Sequence, residues 1–458
     1  MLLTSLLSKP TDARNLRIAS LAVLFGALGF FTIASISQFA RGREGDFIHF
    51  YEAARAVLNN QDLYESGPAN GYIYPPLFAL VLTPLALLSR EAAGVAWTIL
   101  NAAMLLAALF LLARECLRRF TPSPAPSPSP SHARTFALSH FLSTPILLIA
   151  ALGALLNIDK VRAVLSLGQS DALTLLLIVA ALILQRTRPL LSGACLGLAF
   201  NIKYQAIIFL PYLLLRRRFK EAASMATTAA LGLFIGAPIF GWDRNLNYLG
   251  RAFAGLLEMA GIRAQSGDAA NIHSITWERS VSIVSASARL AERFQQQLIT
   301  PAGVLLIATL ALALGWWMLS RHSIALFFKD RGGDRELSQP NARVALLEWT
   351  GLLVAVLVFS PQTTNRHMFL LTFATVVAAA IILTTTHTRS RWFLIAGLVI
   401  MWLGLTLPPG GEKFREALTN WRAIAGPSWC VLIMYFTLLW SGLKTLHQTR
   451  PSGSVPRP

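Results

Sequence analysis

The chain is poor in charge and in cysteine. Only 14% of its 458 residues are Asp, Glu, Lys or Arg, against about 25% in an ordinary soluble domain. That deficit excludes a water-solvated globular surface. Acids are the scarcer sign: 22 Asp and Glu stand against 40 Lys and Arg, for a net charge of +18. The three cysteines, Cys116, Cys195 and Cys430, lie in or beside apolar runs with no paired spacing. This argues against a disulfide framework and a thiolate metal site. No Asp-x-Asp pair marks the first acidic cluster, because Ile48 stands two residues after Asp46. No internal repeat is evident, which argues against transporters built from inverted repeats.

What fills the chain is hydrocarbon. Hydrophobic residues make up 54% of it, and the mean hydropathy is +0.54. Apolar runs fall near 18–40, 92–113, 136–157, 171–185, 190–202, 204–215, 222–240, 301–319, 344–360, 369–386, 393–407 and 427–446. Lipid offers the backbone no hydrogen-bond partner, so such runs must be helices. The expectation is an all-α polytopic membrane protein, 1–458 forming a single transmembrane domain. A further run, 76–89, is short and starts at Pro75-Pro76. If it crossed, the tail with Arg450 and Arg457 would lie outside. Read as an interfacial helix, it leaves about twelve spans with both termini cytoplasmic.

Charge supports that map. The inside segments, including 114–135, Arg216–Lys220, Arg321–Arg343 and Arg389–Arg391, hold most of the basic residues. The outside segments are close to neutral, as the positive-inside bias requires. The basic excess therefore belongs to cytoplasmic loops and does not call for nucleic acid. Lys9, Arg14 and Arg17 precede the run 18–40. That run is longer than a signal-peptide core and lacks an A-x-A end, so it reads as an uncleaved first span. Runs 190–202 and 204–215 share Lys203, and one long span is the alternative. It would move Arg114, Arg118, Arg119, Arg186 and Arg188 outside, so two spans are preferred. Alternating proline over Thr121–Pro130 forbids helix and favours an extended cytoplasmic linker.

Four segments collect on the outer face: the first outer loop 41–91, 158–170, the large outer loop 241–300, and Ser360–His367. A reaction on a lipid phosphate needs cations to hold the phosphate and a carboxylate to accept a proton from a hydroxyl. The cations are Lys160, Arg162, Lys203 and Arg366, with His367 and His49 beside them. Asp46, at the end of the first span, is the carboxylate. Each has an ordinary alternative. Asp46 suits a helix N-cap, as does Asp171. Lys203 suits snorkelling to the interface, although an ionisable residue in an apolar stretch is functional by default. Arg366 and His367 suit interfacial anchors. Tyr72 and Tyr74 suit an interfacial belt.

Gly45-Asp46-Phe47 through Tyr51, Asp62-Leu63-Tyr64, Tyr74-Pro-Pro-Leu77 and Pro84-Leu85 resemble the start of the polyprenol-phosphate-mannose-dependent mannosyltransferases of glycosyltransferase family 87. Leu167-Gly168-Gln169, Gly193–Lys203 followed by Arg216–Arg218, and Ser360-Pro361 with His367 resemble later elements of that family. The similarity covers roughly residues 18–390. It implies a GT-C fold whose first outer loop contains interfacial helices, at the outer face of the cell membrane. It implies that Asp46 is the catalytic base. It also implies that Lys203, Arg366 and His367 hold the lipid phosphate or shape the sugar site; His49, Tyr74, Gln169, Lys160 and Arg162, placed on the same face, are the further candidate substrate contacts. Ser170 departs from the family, where Asn more often follows Gly-Gln.

The resulting expectation is an inverting, metal-independent transferase without cofactor. It would move a hexose, mannose by resemblance, from a polyprenyl-phosphate sugar to a hydroxyl of a glycolipid or glycan. The competing expectation is a transporter or flippase of a lipid-linked sugar. A third is a non-catalytic membrane scaffold.

Overall fold

The computed structural model describes residues 10–43, 45–68, 71–121, 143–263, 272–296, 298–322, 339–406 and 414–446. Among them every regular element is a helix. The first apolar run forms α1 (Pro10–Leu21), a π turn (Ala22–Gly26) and α2 (Ala27–Ala40). The segment that follows carries α3 (Phe47–Leu58) and α4 (Pro76–Ala86). Then come α5 (Arg90–Phe120), α6 (Thr144–Leu155), α7 (Ile158–Leu167), α8 (Asp171–Leu184) and α9 (Pro189–Ile202). A 3-10 turn (Tyr204–Ile208) leads into α10 (Phe209–Leu215), then α11 (Phe219–Phe234) and α12 (Ala237–Phe240). Segment 241–300 contributes α13 (Trp242–Met259) and α14 (Ile283–Phe294). The chain continues through α15 (Ile299–Ser320), α16 (Gln339–Phe359), a 3-10 turn (Asn365–Leu370), α17 (Leu371–Thr384), α18 (Thr388–Thr406), α19 (Arg415–Ala423) and α20 (Gly426–Leu446).

Among the described residues, eight helices are long and apolar enough to cross a membrane, or nine with the α6–α7 pair, which bends by 75°. The expected twelve also counted α8, α9 and the segment Tyr204–Leu215. Helices α8 and α9 are 14 residues each, about 21 Å at 1.5 Å per residue, short of a ~30 Å hydrocarbon core. Helix α17 sits at the centre of the bundle, buried on almost every side. It is apolar all round, as a helix without a lipid or solvent face must be. Helix α15 is the opposite case: Leu305, Leu306, Leu312 and Trp316 are exposed on it, a surface that lipid would cover.

Three expectations about loops are corrected. The segment 158–170 is mostly helix α7, not loop. Arg114–Phe120 extend α5 instead of opening the linker. Their charges are met in place: Glu115 accepts from Arg118 and Arg119 at 2.7–2.8 Å. Ser89 caps the other end by accepting from the Ala92 amide, and the terminal charges suit the helix dipole. Tyr72 is not a belt residue but fully buried. Its hydroxyl accepts from the Ala79 amide at 3.1 Å and donates to the Pro75 carbonyl at 2.8 Å. That satisfies backbone at a helix start where proline supplies no donor. The proline-rich linker beyond Thr121 lies outside the described residues.

Two ends of the bundle emerge from the hydrogen bonds. At one, buried Arg119 donates to the carbonyls of Ala342 and Leu182. Buried Arg343 donates to those of Arg119, Phe120 and Thr445. Arg218 donates to Gln185 O, and Arg216 pairs with Glu348. Guanidinium groups thus tie the C-terminal ends of α5, α8 and α20 to the start of α16, using carbonyls that helix ends leave unpaired. The other end gathers the turns around Asp46, Gly168 and Lys203 and the segment 360–367.

Candidate active site

Two glycine turns meet at this second end. Helix α7 stops at Gly168, whose φ of +65° lets the chain reverse without side-chain strain. The Trp97 indole donates to the Gly168 carbonyl at 2.8 Å, and the same ring stacks on Phe47. Gly45 lies directly on this turn: a Cβ there would come within 2.5–2.7 Å of the Leu167 backbone. A Cβ on Gly168 would fall 2.6 Å from that of Phe47. Close backbone contact is what carries Asp46 to Gln169, and the Gln169 amide donates to Asp46 Oδ2. We expect Gly45→Ala to force the turns apart, costing about 1–3 kcal/mol of stability and most of the activity. Gly250→Ala, where a Cβ meets open space, leaves both unchanged. Thermal unfolding and a transfer assay on the two variants check this.

Asp46 begins α3, yet its side chain makes no cap hydrogen bond. The carboxylate is therefore turned from capping toward Gln169 and an open-mouthed cavity of about 1150 Å³, mouth included. Burial is the largest influence on it and raises its pKa above 3.8; Arg366, His49 and Lys203 pull the other way, and Asp171 adds to the rise. A carboxylate raised in this way is a better proton acceptor than an ordinary one.

The cations differ in what they are free to do. Lys203 interrupts the helix between α9 and the 3-10 turn, with extended backbone at φ −142°, ψ 117°. Its ammonium donates to Asp171 Oδ1 at 2.8 Å, and both side chains are largely buried, 12% and 3% exposed. So it does not snorkel, and Asp171, the first residue of α8, holds it. Arg366 lines the cavity from an exposed position and makes no hydrogen bond or ion pair among the described residues. It is the cation available to a ligand. His367 lines the cavity beside it, its Nδ1 accepting from the Thr364 amide at 3.5 Å. The other ring nitrogen of a neutral imidazole is then the donor.

Of the residues expected in the site, Asp46, His49, Tyr74, Gln169, Lys203, Arg366 and His367 line one cavity. Lys160 and Arg162 do not. The Lys160 ammonium, 1% exposed, is taken by Asp159 at 2.8 Å, because α7 is a packed helix and not a loop reaching over the mouth. Tyr74 packs edge-on against Phe50 and Phe78, and its hydroxyl pKa is raised, by burial first and then by Asp171 and Asp46. The cavity also contains residues that sequence reasoning did not single out: Tyr204, Gln205, His273, Trp277, Gln362 and Gly71. The signal was the polar and aromatic composition of 241–300, but nothing local shows which part returns to the site. Gln362 donates to the His273 carbonyl, and the Val281 amide donates to Thr363 O at 2.7 Å. Those bonds fold 272–281 onto 360–364. Among the described residues, no three His, Cys, Asp or Glu side chains are grouped to hold a metal ion.

Residues 72–361 match glycosyltransferase family 87. The chain belongs to glycosyltransferase family 87. Two relatives extend the likeness over most of its length. A polyprenol-phosphate-mannose-dependent alpha-(1-2)-phosphatidylinositol mannoside mannosyltransferase of Mycolicibacterium smegmatis is 25% identical over 82% of this chain and 78% of its own. The protein of the same description from Mycobacterium tuberculosis is 26% identical over 88% and 86%. No solved structure matches. This family 87 glycosyltransferase carries Asp46 and His49 before the matched segment and Arg366 and His367 after it. The cavity joins them to Lys203 and Gln169 within it.

Proposed function

We propose that this membrane glycosyltransferase takes mannose from polyprenol-phosphate-mannose and passes it to a hydroxyl of a glycolipid or glycan at the outer face of the cell membrane. The observation that carries the reading is a raised-pKa carboxylate, Asp46, in one cavity with a guanidinium, Arg366, that is unpaired among the described residues. Asp46 takes the proton of the acceptor hydroxyl. The acceptor oxygen attacks the anomeric carbon on the face opposite the phosphate, so the configuration inverts. The bond from that carbon to the phosphate oxygen breaks, and its electron pair leaves with polyprenyl phosphate. Arg366 and the Lys203 ammonium stabilise the charge that develops on the phosphate. Phosphate leaves readily, so no acid is required, and the reaction is assigned no metal or cofactor.

The opposite end of the bundle favours an enzyme over a flippase. A transport path needs that end to open, whereas Arg119 and Arg343 bind carbonyls of several helices there and are 2% and 1% exposed. The test is incubation of the purified protein in detergent with a panel of polyprenyl-phosphate sugars, reading release of free polyprenyl phosphate. Release from the mannose donor supports the reading. No release from any donor, with transport restored only in sealed vesicles, overturns it.

The pH dependence follows from Asp46. Its proton is lost at a higher pH than from an ordinary carboxyl, because burial disfavours the charge. The base is absent below that pKa and present above it. We expect kcat/KM to fall on the acid side with a midpoint above 3.8. A pH profile with the acid limb at or below that value would remove Asp46 as the essential base.

A further inference from the structure

One wall of the cavity is left unused by the phosphate and the base. Asp46, Gln169, Lys203 and Arg366 come from the helical bundle and its turns. A further wall comes from segment 241–300: His273 and Trp277, with Leu256 and Met259 from the last turn of α13. His273 and Trp277 are stacked, with ring centroids 3.9 Å apart and planes 25° from parallel. The Trp277 amide donates to Ser274 O at 2.9 Å, and Gln362 holds the His273 carbonyl. The pair is therefore a fixed aromatic plate, still partly open to the cavity.

The chemistry of this wall selects its ligand. The four residues themselves carry no carboxylate, lysine or arginine, so what they offer a ligand is aromatic and apolar surface. Burial, with Arg279 and Arg366 nearby, lowers the His273 pKa and keeps that ring neutral. A hexose has a face of C–H bonds and a rim of hydroxyls. The C–H face packs on flat aromatic surface, and the rim needs amide partners, which Gln205 and Gln362 supply from the same cavity. The donor sugar is held through its phosphate beside Arg366, and that leaves the plate for the second sugar. We propose that the His273–Trp277 stack is the binding platform for the acceptor sugar, making Trp277 a determinant of acceptor specificity. The inference rests on the transferase reading for the word acceptor, while the platform itself is testable without a donor.

The experiment uses the full chain in detergent and methyl α-mannoside as the probe. Saturation-transfer NMR without donor should show the glycoside bound to the native protein and to Trp277→Phe. Binding should weaken roughly tenfold to a hundredfold in Trp277→Ala, as for a large aromatic anchor. With polyprenyl-phosphate-mannose added, Trp277→Ala should raise KM for the glycoside by a similar factor while KM for the donor moves far less. Equal glycoside binding by the native protein and Trp277→Ala, with both folded by circular dichroism, overturns the platform. So does an equal rise in both KM values. Glycoside binding that depends on Trp277, without any transfer from the donor, leaves the platform standing and removes the transferase reading.

Discussion

Asp46→Asn is expected to lower transfer by about two to four powers of ten, the usual scale for removing a positioned base, with donor KM nearly unchanged. It is also expected to leave the protein at least as stable. The sign follows from the pKa. Burial raises it, so the folded protein prefers the protonated group, and ionising the carboxylate opposes folding. Asparagine carries no charge and removes that cost, while its carbonyl still accepts from Gln169. A helix cap predicts the reverse: loss of a cap costs stability, and activity would suffer only as far as folding does. Transfer rates and thermal midpoints of the purified variant separate the two. Near-native transfer by a folded Asp46→Asn protein removes Asp46 from the chemistry.

Lys203→Ala is expected to have the second large effect, on stability and activity together. It strands the Asp171 carboxylate, 3% exposed, without its ammonium partner. Breaking a buried ion pair on one side costs about 3–5 kcal/mol, because the remaining charge stays buried. The double variant Lys203→Met with Asp171→Asn removes both charges and is expected to recover most of the stability. It is not expected to recover donor binding, since the phosphate has still lost a cation. Thermal midpoints of Lys203→Met, Asp171→Asn and the double form a cycle in which the coupling appears directly. Full recovery of donor KM along with stability would mean that Lys203 is structural only.

These two residues show how far local sequence carries an argument. Asp46 was visible because it follows the first span within an aromatic cluster, and its neighbours resembled a family that the matched residues 72–361 bear out. Lys203 was visible because a charge in an apolar stretch is conspicuous. Its partner was not, since Asp171 is 32 residues away and had a sufficient local explanation as a helix start. Lys160 misled for the same reason. On the sequence it is an outer-loop cation, but the amphipathic stretch 158–167 packs as a helix and buries it against Asp159.

The sequence by itself determined that the chain is helical and apolar enough to cross a membrane, and that its polar residues gather in a few segments. Those are properties of composition and periodicity, which each stretch carries with it. Only the tertiary structure decided which polar groups meet. It set Gly45 against Leu167, took Lys160 away from the site, tied Lys203 to Asp171, put Arg366 on the cavity, and brought His273 and Trp277 from a distant loop. The reason is physical: hydrophobic burial places segments by pattern, but charge pairing and close backbone approach depend on distances of a few ångström across the chain.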